Sequence, residues 1–145
     1  MDAVFVQIDR FTIITPMQPS AFNPIRVLVA DDSRMMREII AKIFKYEAKL
    51  KFVGEAEDYF TLFECVEQSK PDVVLLDVHM PGRLEFSASV IKSRLSGIPV
   101  LCMSIWQDEV AYRLAREFGC DLIDKATLQH ALVPAIEAAI RSKSN

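Results

Sequence analysis

Five residues in this chain carry groups that could act together. Asp31 and Asp32 are adjacent and follow the apolar run IRVLVA (25–30), while Asp77 closes the run VVLLD (73–77). Ser104 ends PVLCMS (99–104), and Lys125 directly follows Asp124. Three carboxylates brought within a few ångströms repel one another, and some would take up protons unless a cation neutralised them. A hard, oxygen-seeking ion such as Mg²⁺ suits that donor set, completed by waters and a phosphoryl oxygen. With the cation in place, a phosphoryl group can approach an aspartate that would otherwise repel it, and carboxylate attack on phosphorus gives an aspartyl phosphate. A lysine would then face the phosphoryl charge, and a serine hydroxyl could bond another of its oxygens. Taken singly, each residue has a plainer use: Asp32 as a helix cap, Asp77 as a turn former, Ser104 as a loop residue, Lys125 as a solvated charge.

What decides between these uses is the set of elements that must position the groups. The run at 25–30 is short, apolar and β-branched, as a buried parallel strand should be. A helical face of Met36, Ile39, Ile40 and Ile43 follows over 33–46, with Asp32 or Ser33 able to cap it. A second strand is predicted at 50–56, then a helix to about 68 capped by Asp58. The run at 73–77 is the third strand, and a helix over 86–95 presents Val90, Ile91 and Leu95. A fourth strand at 99–104 leads to a helix over 108–118, with Val110, Leu114 and Phe118 inward and Gly119 as its stop. The fifth strand is 121–124, and Thr127 can cap a last helix with the stripe Leu128, Leu132, Ile136, Ala139 and Ile140. Pro134 should kink that helix or mark a restart.

Strands alternating with helices predict an α/β fold: a doubly wound, five-stranded parallel sheet of order 2-1-3-4-5 with five helices. Ligands bind such sheets beyond the carboxyl ends of the strands, where the strand order reverses. Asp31, Asp32, Asp77, Ser104 and Lys125 all fall on that rim, which a set of unrelated caps and turn formers would not require.

Composition narrows the rest. At 145 residues the chain fits one domain, with 51% hydrophobic and 26% charged residues. The net charge of −3 carries no basic stripe, so a nucleic-acid partner is not expected. No apolar run approaches the roughly 20 residues needed to span a bilayer. Three cysteines (Cys65, Cys102, Cys120) are widely spaced, with no zinc or disulfide pattern, which suits a cytoplasmic setting. Residues 1–24 are expected to be an N-terminal extension distinct from a domain at 25–142, with 143–145 as a tail. Within the extension Val4, Val6 and Ile8 alternate as in a short strand, and Asp2 with Pro16, Pro19 and Pro24 argues against a targeting peptide.

The motifs VLVADDS (27–33), VGEAED (53–58), VVLLDVHMPG (73–82), PVLCMS (99–104) and FGCDLIDK (118–125) together resemble the receiver domains of two-component response regulators, over about residues 25–142. The resemblance implies that Asp77 is the phosphoacceptor and that Asp31, Asp32, Asp77 and the backbone carbonyl of His79 hold Mg²⁺. It further implies that Ser104 swings toward the phosphoryl group and that Lys125 pairs with it. The expected function is a stand-alone receiver that signals through a changed face of the fourth helix, fifth strand and fifth helix. It would lose its phosphoryl group by its own hydrolysis and would not be a dedicated enzyme. Expected partners are a histidine kinase or phosphotransfer protein and a downstream protein target, and a homodimer is compatible with the family.

The chain departs from the family at several points. Leu122 stands where an aromatic switch residue is common, Ala126 where a proline often follows the lysine, and Ile105 where a small residue is usual. GRLEFSAS (82–89) replaces the customary loop. The resemblance is nearest to receivers that precede helix-turn-helix domains and to free-standing relatives with an S-I-W-x-D-E-like segment. His79 and Trp106 sit two residues past the acceptor and the hydroxyl, where they could modulate hydrolysis; Trp106 either shields the phosphoryl group or packs beneath the fourth helix. Three other readings stand beside this one: a regulatory fragment of a DNA-binding transcriptional regulator, a phosphorylation-independent binding module, and a small phosphatase. The last usually needs D-x-D after the first strand, whereas these acids are adjacent.

Overall fold

The computed structural model describes residues 23–144. The strand pattern noted at Val4, Val6 and Ile8 lies outside the described residues. Five parallel strands form one sheet in the order β2-β1-β3-β4-β5: β1 (Ile25–Ala30), β2 (Leu50–Ala56), β3 (Val73–Asp77), β4 (Val100–Ser104) and β5 (Leu122–Asp124). They alternate with helices α1 (Arg34–Lys45), α2 (Tyr59–Ser69), α3 (Ala88–Arg94), α4 (Glu109–Phe118) and α5 (Leu128–Ser144). The predicted order and alternation are both present.

Period-2 alternation along buried strands sends neighbouring residues to opposite faces of the sheet. Leu28, Ala30, Val74, Leu76 and Cys102 meet Tyr59, Leu62, Ile91 and Leu114 on one side. Val27, Val29, Val73, Leu75, Leu101 and Met103 meet Ile40, Phe44, Leu132 and Ile136 on the other. With both faces covered, β1 and β3 are fixed in register, Val27 opposite Val73 through Ala30 opposite Leu76. Asp31 and Asp77 therefore emerge from adjacent strands at one edge.

Local chemistry sets the helix starts. Ser33, not Asp32, caps α1 by accepting from the Met36 N–H at 3.2 Å, which leaves Asp32 free for other use. Asp58 caps α2 in a reciprocal box with Thr61. Between β3 and α3 the chain differs from the expected continuous helix over 86–95. Residues Arg83–Glu85 make a 3₁₀ turn, Phe86 is extended, and Ser87 starts a shorter helix. The turn begins at Gly82, whose φ of +86° and 3.0 Å approach of a built Cβ to the Phe60 ring exclude a larger residue. This shift turns Val90 outward (39% exposed) while Ile91 and Leu95 stay buried.

In α4 the inward positions are Ala111, Leu114 and Ala115, with Val110 and Phe118 half-buried. Thr127 is not the cap of α5. A 3₁₀ turn over Lys125–Thr127 runs straight into the helix, and Asp124 caps that turn through the Ala126 N–H. The last helix is unbroken through Pro134, so no restart occurs there, and it includes residues 143 and 144, which were expected as tail.

Candidate metal centre and acceptor site

The deepest carboxylate of the edge is Asp31, fully buried at the end of β1. Its N–H donates to the Ala56 carbonyl at 2.9 Å, and its own carbonyl accepts from Arg37 Nη1 at 2.6 Å. Asp31 Oδ1 accepts the Ser33 N–H at 2.8 Å. Asp31 Oδ2 lies 2.5 Å from the Lys125 ammonium as an ion pair, yet it lacks a hydrogen-bond partner of acceptable direction. Asp77, 5% exposed, uses Oδ1 to accept the His79 N–H at 3.0 Å and Oδ2 to accept Lys125 Nζ at 3.0 Å. Asp32 is exposed at the mouth. One oxygen from each of Asp31, Asp32 and Asp77 falls within 4.8 Å of the others.

These three acids and Lys125 thus converge on the rim. Three carboxylates against one ammonium leave a net of two negative charges. Burial pushes the Asp31 carboxyl above its ordinary value, partly offset by the Lys125 contact and the Ser33 N–H. Asp32 is also raised, by burial first and then by the Asp77 charge. Burial opposes the charge on Lys125, but its bonds to Asp31 and the charge of Asp77 outweigh that and raise it. A divalent, oxygen-seeking cation fits this site: it would cancel the residual charge of three carboxylates whose oxygens lie within 4.8 Å of one another.

The sign of the pH effect follows. Asp31 and Asp32 hold protons more tightly folded than unfolded, so without metal their contribution to stability falls as pH rises above the ordinary 3.8. A bound Mg²⁺ would reverse this by favouring the ionised forms. The melting temperature is expected to rise more on adding Mg²⁺ at about pH 7 than at about pH 5, as scanning calorimetry would measure. An equal shift at both would contradict carboxylate ligation.

Ser104 is fully buried at the end of β4, and its hydroxyl is engaged locally. It donates to the Trp106 carbonyl at 2.5 Å and accepts the Trp106 N–H at 3.0 Å. The structure thus brings Ser104 to the rim but turns its hydroxyl into its own loop. Trp106 is 67% exposed and Ile105 61%, so neither side chain is part of the core. Two participants escaped the sequence reading. Arg37 holds the Asp31 carbonyl and also pairs with Glu55 at 2.6 Å. Asp108, read only as the start of α4, also reaches His79 Nε2 at 3.2 Å. The His79–Asp108 contact has no sequence signal, since it depends on how two distant loops meet, and Arg37 reads in sequence only as an exposed-face residue of α1.

A sequence model described as the response regulator receiver domain matches residues 27–137. The chain belongs to the response regulator receiver family. Receiver domains are phosphoacceptors that bind Mg²⁺ at an acidic pocket and act between histidine kinases and downstream effectors. This receiver is 36% identical over 110 residues to a protein-glutamate methylesterase/protein-glutamine glutaminase of Pyrococcus abyssi, covering 74% of the chain and 30% of that protein. It is 31% identical over 126 residues to the transcriptional regulatory protein YxjL of Bacillus subtilis, covering 84% of the chain and 57% of that protein. The receiver therefore spans well under two thirds of either relative. Its fold superposes on the response regulator domain of Thermotoga maritima CheB with a TM-score of 0.69, at 25% identity, covering 82% of this chain and 98% of that one. The receiver domain of NarL from Mycobacterium tuberculosis gives 0.70 at 24% identity, with 82% and 98% covered. Among the described residues no helix is long and apolar enough to cross a membrane.

Proposed function

We propose that this receiver accepts a phosphoryl group on Asp77, with Mg²⁺ held by Asp31, Asp32, Asp77 and the His79 carbonyl, and passes the event to the surface of α4, β5 and α5. The observation that carries the reading is Asp77 itself. It is a nearly buried carboxylate at the end of β3, with one oxygen fixed by a backbone N–H and the other by a buried lysine. Such fixing presents a single oriented nucleophile, which removes much of the entropic part of the barrier. Mg²⁺, when bound, neutralises the acids and draws charge from the phosphoryl oxygens. Asp77 then forms the new O–P bond as the donor's bond to phosphorus breaks. Lys125 shifts from neutralising Asp77 to pairing with the phosphoryl oxygens.

Readout begins at Ser104. To reach a phosphoryl oxygen its hydroxyl leaves both backbone groups of Trp106. That release frees a loop whose next residues include Asp108, the cap of α4 and the partner of His79. The movement is therefore carried to α4 by the loop, with the half-buried Leu122 in place of an aromatic relay. Incubation with Mg²⁺ and acetyl phosphate, read by intact mass, should add one phosphoryl group. No addition from any small donor would remove the reading.

We extend the proposal to Trp106 and His79, which would flank the approach of water to the phosphoryl group from two residues past Ser104 and Asp77. Trp106→Ala is expected to lose phosphate about threefold faster, equivalent to about 0.7 kcal/mol of barrier, followed by the decay of the phosphorylated mass. An unchanged or slower decay would refute the shielding role. A second reading, that these residues are the regulatory part of a longer regulator, is favoured by the 30% and 57% of the relatives that the chain spans. An immunoblot of the native protein distinguishes it by size.

A further inference from the structure

Beside the acceptor, a cavity of about 380 Å³ opens between the β3–α3 loop and the first turns of α4, lined by His79, Met80, Arg83, Leu84, Val110 and Arg113. It is cationic and apolar, in contrast to the acidic pocket it adjoins. The junction between the two is His79, whose N–H holds Asp77 Oδ1 while its ring lines the cavity. Among the described residues neither Arg83 nor Arg113 makes an ion pair. Arg83 Nε is buried with no hydrogen-bond partner, a costly state for a charged group unless something meets it. Asp108, the cap of α4, is engaged by His79.

We propose that this cavity is a recognition site for the anionic leaving group of a small acyl phosphate, with Arg83 and Arg113 as the residues that set donor preference. The inference rests on Asp77 being the acceptor. In the transfer, Asp77 forms a bond to phosphorus while the bond from phosphorus to the acyl oxygen breaks. The electron pair stays on that oxygen, which departs as a carboxylate. Charge on a leaving oxygen grows as phosphoryl transfer proceeds through its loose transition state. Guanidinium groups that reach that oxygen stabilise it more in the transition state, where its charge is larger, than in the ground state. The buried Met80 and half-buried Val110 give the cavity an apolar side that suits the short acyl chain. A donor whose leaving group departs as a neutral amine after protonation gains nothing from this wall.

The test compares acetyl phosphate with phosphoramidate on the full chain, with Mg²⁺ saturating and initial rates read by intact mass. Arg113→Ala and Arg83→Ala should each lower the acetyl phosphate rate about tenfold and leave the phosphoramidate rate within about twofold. Arg113→Lys should keep most of the acetyl phosphate rate, because it retains the charge. Equal loss with both donors, or no change with either, would overturn the proposal. Failure of the wild type with both donors would instead remove the acceptor role of Asp77, so the two claims fall separately.

Discussion

Asp77→Asn is expected to abolish phosphoryl uptake, by at least about a thousandfold. The amide keeps the shape of the carboxylate and can still accept the His79 N–H, so the loop after β3 holds its course. What it loses is the charge that makes the oxygen a nucleophile and binds a cation. The side chain is 5% exposed and held at both oxygens, so no neighbouring carboxylate can take its place without moving the backbone. Asp32 is near but exposed and lies on another strand end, and Asp31 is directed at Lys125. Intact mass after incubation with acetyl phosphate and Mg²⁺ measures the effect. Residual uptake by the variant within tenfold of wild type, about 1.4 kcal/mol of barrier, would place the acceptor elsewhere.

The second large effect is at Lys125. Its ammonium is buried and, among the described residues, is the one cation that touches both Asp31 and Asp77. Lys125→Met keeps an unbranched apolar chain of similar length but leaves three carboxylates with no compensating charge. Removing one partner of a buried ion pair costs about 3 kcal/mol or more. The loss should appear in urea unfolding near neutral pH without metal. It should shrink as pH falls, because protonation of the crowded acids relieves their repulsion, and it should also shrink on adding Mg²⁺. Phosphoryl uptake should fall about a hundredfold, the scale of losing one preorganised charge at a transition state. A variant as stable as wild type at neutral pH without Mg²⁺ would mean that Lys125 does not balance the acids.

These expectations rest on features with unequal visibility in the sequence. The strands β1 and β3 could be read because burial on both faces leaves continuous apolar runs, and their ends fixed where Asp31, Asp32 and Asp77 would stand. Lys125 was readable for the same reason, as the first polar group after a short fifth strand. The region after β3 was not. The sequence around Phe86 carries helical periodicity, yet Gly82 and the packing of Phe86 against Phe60 and Phe63 impose a 3₁₀ turn and an extended residue first. Thr127 looked like a cap, but Asp124 performs that task one turn earlier for a 3₁₀ segment that has no periodic signature. The orientation of Ser104 also has no linear signal, since it depends on a turn closed by the backbone of Trp106. Contacts between separate elements, such as His79 with Asp108 and Arg37 with Glu55, arise only when the sheet has brought them together.

The account of the acidic pocket and the account of the cationic cavity meet at Asp77. If the carboxylate is the acceptor, the adduct is an acyl phosphate, whose acyl carbon borohydride reduces, unlike a phosphoserine or a phosphohistidine. Borohydride reduction of the protein after incubation with acetyl phosphate and Mg²⁺, followed by peptide mass mapping, is the most direct measurement. The account predicts homoserine at position 77 in the peptide containing β3, and none at positions 31 or 32. A phosphorylated protein that yields no reduced product at position 77, or carries its phosphoryl group on Ser104 or His79, would contradict it.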